Sequence, residues 1–184
     1  MACKITTGLG FECEDQVGVG GLSPTFWVTY LSEFDTKPSL AQTADINALD
    51  FGSYGGLRRF DGNKFWHSAG SELQIAQGAG NRSWKQTFVA KLLSNSTVDD
   101  KTLQTLALGN DIVIIYQDSN QQVFIMGAGN GLSVESDVQN SGQTGDSDTT
   151  DTVTLSGSEK TKPLRFARGS GYSDTIAYLE ALEV

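Results

Sequence analysis

The chain has 184 residues, of which 21 are glycine and only 3 are proline, and a formal net charge of −9 at pH 7. This length suits one domain, and the many glycine and small polar residues favour a β-rich protein over a helical bundle. The excess of acid argues against a nucleic-acid-binding clamp and against an anionic membrane surface as partner. We also expect neither a transmembrane helix nor a signal peptide, because no apolar run is long enough and the first residues lack an apolar segment.

The first half of the chain is predicted to be an arm followed by strands. Residues 1–23 are glycine-rich and weakly patterned, as in an extended N-terminal arm, and residues 24–184 are predicted to form a single domain. Aromatic and β-branched residues predict a strand over 26–34, and a short strand is predicted over 45–51. An Asp-Gly-Asn turn predicts a β-hairpin over 57–67.

In the middle of the chain, the spacing of apolar residues changes once, from that of a strand to that of a helix. The pattern is loose over 73–83, and residues 84–93 then alternate between two faces, which predicts a half-buried strand. Residues 97–108 have helical spacing, with a Thr-to-Asp capping pattern at the start and a glycine after the end. One flanking α-helix is therefore predicted over about 97–108.

The second half is predicted to return to strands. The continuous apolar run within 111–116 predicts a strand buried on both faces, and 121–126 follows it after a tight turn. Shorter strands are predicted over 152–156 and 164–167, and the last residues fit either a short helix or an extended tail. The predicted fold class is mainly β, an antiparallel β-barrel or sandwich with one flanking α-helix.

Residues 132–138 alternate apolar with polar side chains, which predicts a half-exposed strand. Glu135 and Asp137 are expected together on its exposed face. The following residues, 139–150, are small and polar, which is typical of a long loop.

The sequence predicts no nucleophilic or metal chemistry at its histidine or cysteines. His67 is the one histidine and lies beside Trp66 in a predicted strand, so we interpret it as structural. Neither Cys3 nor Cys13 lies near a local base, and the sequence leaves open whether the two form a disulfide.

Two further segments resemble ligand-binding loops in composition. The run Gly127-Ala128-Gly129-Asn130-Gly131 follows a predicted strand, but no helix follows it, so a turn is the preferred interpretation over a phosphate loop. The run Asp146-Ser147-Asp148, with Asp151, offers oxygens for Ca²⁺ but lacks the EF-hand pattern. We interpret it as a solvated acidic loop, and we predict no cofactor and no metal.

Charge is segregated along the chain. Residues 102–159 contain eight acids and no basic residue, whereas residues 57–91 contain six basic residues and two acids. Chains with one acidic and one basic region can pair head to tail with copies of themselves, and such contacts build rings or filaments. An ordinary uneven surface would give the same pattern.

Several segments together resemble one protein family. These are Met1-Ala2-Cys3, the glycine segment 17–21, Phe26-Trp27-Val28, Gln86-Thr87-Phe88, the stretch 111–132 and Leu155-Ser156-Gly157-Ser158-Glu159. With the order of predicted elements, they resemble the tail tube proteins of long-tailed bacteriophages and their relatives in contractile injection systems. The likeness is closest to virion structural proteins of phages that infect Bacteroidetes.

This resemblance implies a structural protein and not an enzyme. Six subunits would form a ring whose inner sheets join into one barrel, and rings would stack through loops and arms into a tail tube. Viral DNA would pass through the lumen without specific binding. The partners would be the chain itself, other tail proteins (a terminator, a baseplate or tip, a sheath) and no membrane, in a virion assembled in the host cytoplasm.

The resemblance also suggests roles for individual residues. An acidic lumen would repel DNA phosphates and let the genome slide. The acids expected to face the lumen are Asp111, Asp118, Glu135 and Asp137. The residues expected to contact neighbouring subunits are Phe11, Val17, Val19 and Leu22 in the arm, and Arg58, Arg59 and Lys64 in the basic region.

Two alternatives stay open at this level. One is another virion component, such as a neck or tail terminator subunit or a capsid decoration protein, which would share the acidic β-rich composition. The other is a carbohydrate-binding β-sandwich in which Tyr54, Trp66 and Trp84 form a stacking platform.

Overall fold

A computed structural model describes most of the predicted domain. It describes residues 20–38, 46–53, 55–63, 65–75, 82–93, 101–102, 104–106, 108–140 and 149–184. The predicted arm up to residue 19 and most of the predicted loop 139–150 lie outside the described residues.

The described chain contains eleven strands in three antiparallel sheets. The strand bounds are β1 Leu22–Tyr30, β2 Phe34–Thr36, β3 Asp50–Phe51, β4 Arg58–Asp61, β5 Ser68–Ile75, β6 Arg82–Leu93, β7 Ile112–Asp118, β8 Val123–Met126, β9 Ser133–Asn140, β10 Thr150–Glu159 and β11 Leu164–Phe166. One sheet has the order β11-β8-β7-β1-β4, a second has the order β5-β6-β10-β9, and β2 pairs with β3.

The two larger sheets pack face to face as a sandwich, and no closed barrel forms among the described strands. Alternate residues of β6, from Gln86 to Leu92, are buried against the other sheet. This confirms the predicted mainly β fold and the predicted half-buried strand.

The five-stranded sheet is buried on both of its faces. In β7, Ile112 and Ile114 belong to the core between the large sheets, whereas Val113 and Ile115 belong to a second core on the opposite face. The second core is covered by the β2–β3 pair and the C-terminal helix. The prediction of a strand buried on both faces is confirmed, because a middle layer leaves neither face to water.

One helix lies within its predicted range, and the C-terminal helix is one of the two predicted alternatives for the last residues. Residues 101–102 and 104–106 form a helix, α1, within the predicted range, and the rest of 97–107 lies outside the described residues. A second helix, α2, spans Tyr172–Glu180 and buries Leu179 in the second core. Neither helix of the described chain is long and apolar enough to cross a membrane.

The region before β6 corrects two predictions. The chain leaves β1 through a 3-10 helix at Leu31–Glu33 and does not continue as a strand to 34. No hairpin forms over 57–67, because β4 pairs with β1 in one sheet and the next strand, β5, pairs with β6 in the other. The Asp-Gly-Asn segment therefore lies in the connection from β4 in one sheet to β5 in the other. Residues 73–75, which have a loose apolar pattern, belong to β5.

A β-bulge in β9 corrects the predicted faces of that strand. Val134 lies opposite Leu155 of β10, but Ser136 lies opposite Thr154, so Glu135 is the extra residue. Beyond the bulge the faces are exchanged, and Asp137 lies opposite the buried Val153. Glu135 and Asp137 thus lie on opposite faces of the sheet, and not on one face as the alternation predicts.

Candidate functional site

The two edge strands of the four-stranded sheet are long and exposed. Among the described strands, β5 pairs with β6 alone and β9 pairs with β10 alone, so β5 and β9 are the two edges of this sheet. Within these two strands only Ala69 and Val134 are even partly buried. The edges of the five-stranded sheet, β4 and β11, are by contrast only four and three residues long.

The exposed edges carry apolar side chains. Leu73 is 40% exposed and Ile75 is 59% exposed on β5, and Val138 is 57% exposed on β9. Both strands lack proline, and natural proteins usually blunt a long edge with proline, charge or a covering element. Charge and irregularity protect these edges only in part. β5 has one acid, Glu72, and β9 has a bulge with two acids, Glu135 and Asp137. The edges therefore offer backbone hydrogen bonds together with apolar contacts.

The directions of the strands permit the sheet to continue into another copy. Each neighbouring pair, β5–β6, β6–β10 and β10–β9, is antiparallel, so β5 and β9 run in opposite directions. Rotation about an axis roughly along the strands keeps those directions. The β5 of a rotated copy would therefore meet β9 in an antiparallel pair, the same pairing as within the sheet.

The face of this sheet that points away from the core is rich in hydroxyl groups. On β10 it presents Thr152, Thr154 and Ser156, which alternate with the buried Val153 and Leu155. Its charged groups largely compensate each other on the same face. Lys85 lies 3.5 Å from Glu135 and opposite Glu72, and Lys91 lies over the Trp66 ring at 4.7 Å.

The four acids predicted to face a lumen do not come together. Asp111 precedes β7 and contacts the backbone at Gly131, and Asp118 ends β7. The Asp118 carboxylate accepts the backbone N–H groups of Asn120 and Gln122 at 2.9 and 2.8 Å, so it stabilises the β7–β8 turn. Asp118 belongs to the five-stranded sheet, and Asp111 lies directly before that sheet's strand β7.

Glu135 and Asp137 have different electrostatic surroundings. Hydrogen bonds from Ser156 and Lys85, with the positive charge of Lys85, lower the pKa of Glu135. Burial and the negative charge of Asp151 raise the pKa of Asp137. Of the four predicted acids, only Glu135 lies on the hydroxyl-rich face.

The residues predicted to contact neighbouring subunits have intramolecular roles where the structure describes them. Leu22 is the first residue of β1 and packs against the core, so it does not belong to the arm. Arg58 pairs with Glu33 at 2.9 Å, and Arg59 pairs with Asp61 at 3.0 Å. Phe11, Val17, Val19 and Lys64 lie outside the described residues.

The glycine-rich turn after β8 is already occupied by a carboxylate of the same chain. Glu159, which is 2% exposed, accepts the backbone N–H groups of Gly129 and Asn130 at 3.2 and 2.8 Å. A phosphate would have to displace this buried carboxylate. The geometry thus agrees with the interpretation as a turn.

The other candidate groups do not form a site among the described residues. His67 is buried against Phe26 and Phe88 and bonds only backbone atoms, which agrees with a structural role. Trp66 and Trp84 lie near opposite ends of β6 and are each covered by a lysine at 4.7 Å, so the described aromatic residues form no joint platform. Tyr54 is outside the described chain, and the part that is described holds no group of three or more His, Cys, Asp or Glu side chains that could hold a metal ion.

Sequence reasoning did not single out the edge strands. Residues 68–75 lack a clear apolar alternation, and every residue of that strand except the partly buried Ala69 is exposed. The sequence indicates this strand only indirectly, because residues 68–75 contain no proline and lie between two segments with turn-forming residues.

Comparisons of the chain with protein-family models, with curated proteins and with solved structures gave no match.

Proposed function

We propose that this chain is a structural protein that assembles with copies of itself through the open edges of its four-stranded sheet. The observation that carries the proposal is the pair of long, exposed edges, β5 and β9, with apolar side chains at positions 73, 75 and 138. Long bare edges favour pairing with another strand. Because the antiparallel alternation continues across β9 and a neighbouring β5, head-to-tail addition can close into a ring.

The bulk of the subunit determines which face of such a ring points inward. The five-stranded sheet and α2 lie on one side of the four-stranded sheet, so closure leaves the hydroxyl-rich face toward the lumen. On that face Lys85 lies opposite Glu72 and 3.5 Å from Glu135, and Lys91, over the Trp66 ring, adds a second positive charge. A wall of hydroxyl groups and compensated charges would hold a passing polyanion weakly, since strong binding to phosphates needs uncompensated basic groups.

Together with the family resemblance, this geometry supports a phage tail tube subunit as the function. Rings of six copies would stack into a tube in the virion, and viral DNA would pass through it during ejection. We expect no turnover of a substrate.

The test is assembly of the purified full chain with and without charged edges. Leu73→Lys and Val138→Lys, singly and combined, should prevent rings and tubes, because each places a charge where a neighbouring strand would pack. Leu108→Lys is the matched control, since Leu108 is 85% exposed and lies outside the sheet. Negative-stain electron microscopy and sedimentation velocity over a range of concentrations would measure the assembly.

We expect the wild type and Leu108→Lys to form rings or tubes and the edge variants to stay monomeric with unchanged melting temperatures. Wild-type protein that remains monomeric at every concentration and under crowding would overturn the proposal. Assembly of the doubly charged edge variant at the wild-type concentration would overturn the assigned edges.

A further inference from the structure

A buried carboxylate in β10 lacks a compensating partner among the described residues. Asp151 is 5% exposed, and no residue that the structure describes forms a hydrogen bond with its Oδ1 atom. Directly opposite on β6 is Leu92, an apolar residue of the core. Burial of a carboxylate without a partner is costly, so such a group normally acquires a proton or a cation.

The β9 bulge places two more oxygen-bearing side chains on the same face. Gln139 lies directly opposite Asp151, and Asp137 lies opposite Val153, one diagonal step away. Residues that are directly or diagonally opposite across a strand pair lie within side-chain reach on one face. Without the extra residue at 135, Asp137 and Gln139 would point to the other face.

We propose that Asp137, Gln139 and Asp151 form a binding site for a divalent cation, with Ca²⁺ as the preferred ion. The three side chains supply carboxylate and amide oxygens, which are the ligands that Ca²⁺ takes in flexible geometry with water completing the shell. Ca²⁺ would compensate the unpartnered Oδ1 of Asp151 and the repulsion between the two carboxylates. The site lies within one chain and does not depend on the proposed assembly.

The electrostatic surroundings support this assignment. The negative charge of Asp151 is one of the causes that raise the pKa of Asp137, which indicates that the two carboxylates sense each other. The basic side chain of β6 nearest in register, Lys91, lies opposite Thr152 on the other face of the sheet and over the Trp66 ring at 4.7 Å. The buried Val153 and Leu92 flank Asp151 within the sheet, whereas Asp137 is exposed, so a cation would enter from the Asp137 side.

Two carboxylates predict weak binding, with a dissociation constant of about 10⁻⁴–10⁻³ M. Isothermal titration calorimetry with CaCl₂ on the full wild-type chain measures it directly. At a Ca²⁺ concentration ten times the dissociation constant, the folding equilibrium constant rises about elevenfold, which raises the melting temperature by ~3–5 °C.

Asp151→Asn and Asp137→Asn should each abolish this rise, and Mg²⁺ should give a smaller one because it demands stricter geometry. Glu135→Gln is the matched control, since this carboxylate lies on the same strand but on the other face, and it should keep the full response to Ca²⁺.

Two results would overturn the proposal. The first is no calorimetric signal and no thermal response to Ca²⁺ up to 10 mM, whatever the variants do. The second is a response that Asp151→Asn retains.

Discussion

Replacement of Gly157 by alanine is expected to destabilise the sandwich, because β10 closely approaches the turn after β8 at this residue. An added Cβ would lie 2.6 Å from the carbonyl oxygen of Gly131 and 3.0 Å from Leu132 Cδ2. Ordinary contact begins at 3.4 Å, so the turn would have to move by 3.4 − 2.6 = 0.8 Å. That turn is fixed by reciprocal backbone hydrogen bonds between Leu132 and Ile112 at 2.7 and 2.9 Å.

The expected cost is about 2–3 kcal/mol, the upper part of the range for overpacking, because the hydrogen-bonded turn cannot easily move. For a chain of this size that corresponds to a melting temperature lower by about 5–10 °C. Urea and thermal unfolding, followed by tryptophan fluorescence, would measure it.

Gly70→Ala is the matched control for this measurement. Gly70 lies in β5 of the same sheet, and an added Cβ there has no atom within 4 Å. Alanine should stabilise this position by about 0.5 kcal/mol, because glycine loses more backbone entropy on folding. If Gly157→Ala proved as stable as Gly70→Ala, the close approach of the two elements would be refuted.

Two further predictions concern buried polar groups. Acidification below pH 6.5 should destabilise the protein through His67, whose pKa is lowered by burial and whose Nδ1 accepts the Lys91 backbone N–H at 3.3 Å. The unfolded histidine binds the proton more readily, so this stability is complete above the unfolded pKa of about 6.5 and falls below it by at most about 1.4 kcal/mol per pH unit. Urea titrations from pH 7.5 to 5.5 measure the slope, and an equal slope in His67→Gln would contradict the assignment. Gln86→Leu should cost about 2–4 kcal/mol, because the buried Gln86 amide accepts the Gly127 N–H at 3.0 Å and donates to the Thr161 carbonyl at 2.9 Å. An unchanged urea midpoint in that variant would show that neither hydrogen bond contributes to stability.

The candidate site shows which features the sequence could predict and which it could not. It predicted Glu135 and Asp137 on one exposed face, because alternation along 132–138 is regular. The bulge is formed by the pairing of β9 with β10, so no local pattern indicates it, and a single extra residue exchanges the faces. Likewise, the pairing of Arg58 with Glu33 joins residues far apart in the sequence, which charge segregation along the chain does not indicate.

The sequence by itself determined those strands in which the spacing of apolar residues predicts which faces are buried. The apolar run of β7 requires a middle layer, and the alternation of β6 requires one covered face, so both strands and the mainly β class followed from side-chain chemistry alone. Only the tertiary structure decided which strands became neighbours. That choice left β5 and β9 at the edges, because strand order depends on contacts between distant segments, and it created the exposed edges and the buried Asp151 on which both proposals rest.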